Sequence, residues 1–109
     1  ITVDTLKQRL LSDPEAGILD VRKASENYSE RLPDAINAPL DYINDSMTKI
    51  NPNKTYYVHC AGGYRSMVFI SILRARGYDR LVDVQGGFNA IKASGLFPIT
   101  DYVCPSTML

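Results

Sequence analysis

A single α/β layered domain built on a mainly parallel sheet is the fold class this sequence predicts. Three observations carry that reading. Short β-branched or aliphatic runs alternate with helix-patterned segments along the whole chain. At 109 residues, the chain can bury roughly two-thirds of its unfolded surface, enough for one core. No internal repeat, low-complexity tract or Pro/Gly/Ser-rich linker divides it.

The elements follow in order. Thr2 can cap a first helix in which Val3, Leu6, Leu10 and Leu11 form an apolar stripe. Asp13-Pro14 and Gly17 punctuate its end, and Ile18-Leu19-Asp20-Val21 reads as a strand. Ala24 to Glu30 is helix-compatible up to the stop at Pro33-Asp34. Ala35-Ile36-Asn37 reads as a short strand, and a further helix is expected between Leu40 and Ile50. Thr55 to Cys60 is β-branched and aromatic, the clearest strand in the chain. A turn over Ala61 to Tyr64 leads to a helix from Ser66 to Arg76, with apolar positions at Met67, Ile70 and Leu73 and a second flank at Val68 and Ile72. Gly77 is placed to end it. Leu81 to Val84 is the last strand, Gly86-Gly87 a turn, and Phe88 to Ser94 a helix ending at Gly95.

Charge excludes several function classes. Twelve Lys and Arg balance twelve Asp and Glu, unlike a polybasic binder of nucleic acid or anionic membrane. No apolar run approaches the roughly 18–20 residues of a membrane span. Two cysteines and one histidine cannot supply the usual four Cys/His ligands of a zinc site, and the chain is no disulfide-dense secreted scaffold. A reducing, cytoplasmic setting is expected, with no metal and no cofactor. The chain starts at Ile1, not Met, which suggests a domain excised from a longer protein.

Chemistry concentrates after the clearest strand. Parallel sheets place reactive groups just beyond the carboxyl ends of their strands, and Cys60 stands there. The loop Ala61, Gly62, Gly63, Tyr64, Arg65 and Ser66 can turn its amide N–H groups inward as an anion cradle, with Gly62 and Gly63 permitting the unusual backbone angles. The following helix adds its positive N-terminus, and Arg65 a fixed charge at the rim. Both effects lower the thiol pKa and make Cys60 a nucleophile. A buried structural cysteine is the plainer alternative, weakened by the Gly-Gly-x-Arg that follows.

Four stretches together resemble the rhodanese sulfurtransferases over essentially the whole chain. They are Ile18-Leu19-Asp20-Val21-Arg22 with Glu26, Leu32 to Leu40, the loop Cys60 to Arg65, and Val84-Gln85-Gly86-Gly87-Phe88 with Gly95. The resemblance implies a rhodanese-like fold: a central parallel five-stranded sheet flanked by helices on both faces. It implies that Cys60 takes a sulfane sulfur from a donor, persulfide or thiosulfate, and passes it to a thiol or other nucleophilic acceptor. Ala61 to Ser66 would hold the persulfide, and Asp20 would support the loop. Arg31, Asp34 and Ile91 stand where the family usually has His, Gly and Trp. The Cys-Ala-Gly-Gly-Tyr-Arg-Ser loop and the tail Thr100 to Pro105 are similar to the rhodanese module closing some bacterial metallo-β-lactamase-fold proteins of the persulfide dioxygenase type. That similarity implies a fused partner domain carrying any metal.

Other readings are weighed beside this one. Cysteine phosphatases and arsenate reductases separate Cys and Arg by five residues; here four intervene, a cradle for one sulfur atom instead of a tetrahedral oxyanion. A non-catalytic interaction module would not need Cys60. His59 should point away from the Cys60 face as a core residue, since strand neighbours alternate. Arg22 and Glu26 can pair as helical neighbours, in structural support. Asp20 can anchor the loop through backbone N–H groups. Tyr64 can wall the site, and Cys104 is either an incidental thiol or a sulfur acceptor. Because Arg65 is the loop's only cation, an organic persulfide is expected to outperform dianionic thiosulfate.

Overall fold

The computed structural model describes residues 1–101. Helix α1 (Val3–Ser12) starts at Thr2, whose hydroxyl accepts the Thr5 amide at 3.3 Å. Strand β1 (Gly17–Asp20) leads to α2 (Ala24–Ser29), the two-residue strand β2 (Glu30–Arg31) and β3 (Ala35–Asn37). The helix expected between Leu40 and Ile50 is divided into a 3-10 turn, Leu40–Tyr42, and α3 (Ile43–Met47). Then come β4 (Tyr56–His59), α4 (Tyr64–Ala75), β5 (Leu81–Asp83), α5 (Gly87–Ser94) and β6 (Thr100–Asp101).

The central sheet has the order β3-β1-β4-β5, every pair parallel, with Leu19 opposite both Ile36 and Val58. Alternation along the strands feeds two cores. Leu19, Val58 and Cys60 face a cluster with Phe69 and Leu73 of α4, joined by Ile43 and Met47 of α3. Ile18 and Tyr57 face the opposite cluster, with Val3 and Leu6 of α1 and Ile91 of α5. Phe69, Leu73, Leu6 and Ile91 are wholly buried, each worth about 1.5–3 kcal/mol of transfer free energy. Helices therefore cover both faces, as expected.

Among the described residues the parallel sheet has four strands, not five. The position beyond β5 is held by Ile1 alone. Its amino group donates to Asp83 O at 2.6 Å, and its carbonyl accepts the Gln85 amide at 2.7 Å. Those are the two bonds of a parallel bridge around Val84, and one residue makes no strand. The remaining strands, β2 and β6, form a separate antiparallel pair.

Smaller differences have local causes. Leu11, at the ragged end of the α1 stripe, is exposed. Helix α4 begins at Tyr64, two residues early, and buries Phe69, Ile70 and Leu73 while leaving Met67 exposed. No helix of the described residues is long and apolar enough to cross a membrane. Cys104, with the part of the tail similarity beyond Asp101, lies outside the described residues.

Candidate active site

The carboxyl ends of β1, β4 and β5 converge on Cys60, which follows β4 and is buried. Gly63 turns the chain from loop to helix at φ 113°, in the left-handed region that favours glycine. Gly62 has no positive φ, so only one of the two loop glycines meets the expectation. Helix α4 has no side-chain N-cap of its own. The cysteine sulfur stands in for one: the Gly63 amide donates to Sγ at 3.0 Å, and the Gly62 and Ser66 amides also stabilise it.

Burial pushes the Cys60 thiol up, but hydrogen bonds from the Ser66 amide and hydroxyl, then the Gly63 and Gly62 amides, outweigh it. The thiol pKa accordingly lies below its ordinary value. Ser66, itself buried, places its hydroxyl oxygen 3.7 Å from Sγ and 2.5 Å from Asp83 Oδ1, one proton between two acceptors. The midpoint of the iodoacetamide rate against pH is expected below about 8.5. Ser66→Ala should move it upward.

The outer side of the loop is held by α5. The Phe88 amide donates to Cys60 O at 2.6 Å and the Asn89 amide to Ala61 O at 3.1 Å. A trans peptide sets its C=O and the next N–H on opposite sides, so drawing the Ala61 carbonyl outward aims the Gly62 N–H at the sulfur. Gly87, at φ 58°, makes that approach feasible: a Cβ there would stand 2.5 Å from Cys60 O. Sequence reasoning placed Gly86-Gly87 in a turn but did not connect it, or Asp83, to the cysteine.

Four expectations about side chains change. Arg22 does not pair with Glu26. Helix α2 begins at Ala24, with the Lys23 amide donating to Glu26 Oε1 at 3.2 Å, so Arg22 precedes it and folds back on Asp20. Its Nε and one terminal nitrogen donate to the two Asp20 oxygens at 2.9 and 2.8 Å. Asp20 also accepts the Arg22 amide and the Asn27 side chain, both at 3.0 Å, and no loop amide; it anchors the β1–α2 turn. Burial opposes its ionisation, but hydrogen bonds from Arg22 and Asn27 with the charge of Arg22 hold its pKa below the ordinary carboxylate value. Arg65 is not a lone rim charge: both terminal nitrogens bind Glu26, at 2.6 and 3.0 Å. Tyr64 is largely exposed and walls nothing closely.

His59 is wholly buried, as expected of a core residue, with its ring stacked 5.9 Å from Phe88 and Nδ1 3.2 Å from Cys60 O. Burial lowers its pKa. The Arg22 guanidinium lies 4.1 Å over the same Phe88 ring, so Asp20, Arg22, Phe88 and His59 form a packed column beside the loop.

Comparison with known proteins agrees with this architecture. The family model for the rhodanese-like domain matches residues 2–94. A sulfurtransferase of Allochromatium vinosum is 29% identical over 96 residues, covering 88% of this chain and 90% of that protein. A putative sulfur carrier protein of Bacillus subtilis and a relative from Synechocystis are longer, and the match spans 47% and 50% of them. Among solved structures, a rhodanese-related protein of Thermoplasma volcanium superimposes with a TM-score of 0.80 at 27% identity, covering 92% of this chain and 95% of that one. A rhodanese-like domain protein of Staphylococcus aureus gives 0.76 at 41% identity, covering 84% and 88%.

Proposed function

The chain belongs to the rhodanese-like domain family, and from that premise we propose that it transfers sulfane sulfur through a persulfide on Cys60. Relatives named sulfurtransferase support rhodanese-type sulfur transfer at the level of the family. The observation that carries the reading for this chain is the nest of amides from Gly62, Gly63 and Ser66 around one buried sulfur. Such a nest stabilises a thiolate, and amides that face the same space suit the negative terminal sulfur of a persulfide.

The step balances simply. The Cys60 thiolate attacks the outer sulfur of the donor, forming one S–S bond as the donor's S–S bond breaks. The leaving group carries away the electron pair, as sulfite from thiosulfate or as a thiolate from an organic persulfide. An acceptor thiolate then attacks the terminal sulfur and returns Cys60 to its thiolate. Arg65 supports this reading over phosphate-ester chemistry, because Glu26 occupies both of its terminal nitrogens. A domain fused to the chain, such as a metallo-β-lactamase-fold partner, would be a source of donor or acceptor.

Intact-mass measurement after brief exposure to thiosulfate or glutathione persulfide tests the proposal. A gain of one sulfur, about 32 Da, on the peptide containing Cys60 is expected. Unchanged mass with both donors would remove the sulfurtransferase reading.

A further inference from the structure

Cations beside the candidate site are each matched by an acid. Arg65, the loop's only cation, is bound at both terminal nitrogens by Glu26 of α2, with the two side chains 29% and 34% exposed. Adjoining Ala61 is a surface groove that includes Arg22, Glu26, Glu30 and Lys92. Within it Arg22 binds Asp20, and Lys92 pairs with Glu30. Three acids cancel three cations along this side of the cysteine loop.

We propose that Glu26 is a donor-specificity residue: by neutralising Arg65 it sets the site against dianionic donors and toward organic persulfides. The inference rests on the sulfurtransferase reading above and adds to it a substrate class and the residue that selects it. A free guanidinium at the loop would attract thiosulfate as it approaches and as sulfite departs. Bound to a carboxylate, the same group presents a dipole instead of a charge, and its attraction for a dianion falls off over a shorter distance. The pair is also in a geometry that a donor cannot easily break, since two parallel N–H···O bonds must be given up at once. An organic persulfide reacts at a single sulfur atom bearing at most one charge, so it loses less from the neutralisation.

Glu26→Gln tests this with the conservative side chain, which keeps an oxygen to accept the Lys23 amide and so preserves the start of α2. The reading is the ratio of kcat/KM for thiosulfate to kcat/KM for glutathione persulfide, at fixed ionic strength. The ratio is expected to rise about tenfold, equivalent to about 1.4 kcal/mol of transition-state preference. The gain should shrink with added salt, because an exposed charge is screened. Arg65→Gln, which leaves Glu26 unmatched, should lower the ratio, and Glu26→Gln combined with Arg65→Gln should return it toward that of the unaltered protein. A ratio unmoved in Glu26→Gln, or moved downward, while the unaltered protein still gains sulfur on Cys60, overturns the role of Glu26 alone. Failure of the unaltered protein to gain sulfur from either donor overturns the sulfurtransferase reading, and the specificity role with it.

Discussion

Cys60→Ser is expected to abolish sulfur transfer and leave the domain folded. Oxygen fits the space of the buried sulfur and accepts the same amides from Gly63 and Ser66, so the loop keeps its shape. A serine hydroxyl cannot carry a transferable sulfane sulfur, and at neutral pH it remains protonated. Mass gain on the peptide containing residue 60 should vanish with every donor, while circular dichroism and the urea midpoint stay close to those of the unaltered protein. Turnover retained in the serine variant would move the nucleophile elsewhere in the chain.

The second large effect falls on stability. Asp20 is wholly buried and Arg22 nearly so, joined by paired hydrogen bonds. Asp20→Ala strands the guanidinium against Phe88 with only the Glu30 carbonyl left to it, at 2.6 Å. Removing one partner of a buried pair costs about 3–5 kcal/mol, a large share of the 5–15 kcal/mol typical of a whole domain. A urea titration reads this directly, and a midpoint unchanged from the unaltered protein would refute it. The pH dependence follows from the direction of the Asp20 shift. Because its folded-state pKa is depressed, its stabilisation is present above the unfolded carboxyl value of about 3.9 and is lost as pH falls through the folded-state pKa. Asp20→Ala should therefore flatten the acid limb of stability against pH.

The strands, the cysteine loop and the helix behind it were legible because each is written in consecutive residues: Tyr56 to His59 in β-branched and aromatic types, Gly63 before α4. Pairings across the fold were not. Arg65 and Glu26 stand 39 positions apart, and no local pattern joins them. The expected Arg22–Glu26 pair failed for a traceable reason, since an i,i+4 contact needs both residues on one helix and α2 starts after Arg22. The sheet count differs because, among the described residues, the edge beyond β5 carries only the bridge that Ile1 makes around Val84, which is no strand. Gly87 was visible as a turn residue, but its closeness to Cys60 O is a property of how α5 lands on the loop.

That landing has a consequence for timing. The two carbonyls that orient the cradle are held by amides 28 positions later in the chain, Phe88 for Cys60 and Asn89 for Ala61. During synthesis the cysteine therefore emerges well before the element that aims the Gly62 amide at it. Until α5 arrives, the thiol lacks part of the field that ionises it and behaves more like an ordinary, slower-reacting cysteine. Local lifting of α5 in the finished protein has the same effect in reverse, lowering nucleophilicity while the pairing of β1 with β4 persists. The share of the field at Cys60 that the Gly62 amide supplies is thus a late-acquired property of the chain, completed when α5 docks on the loop.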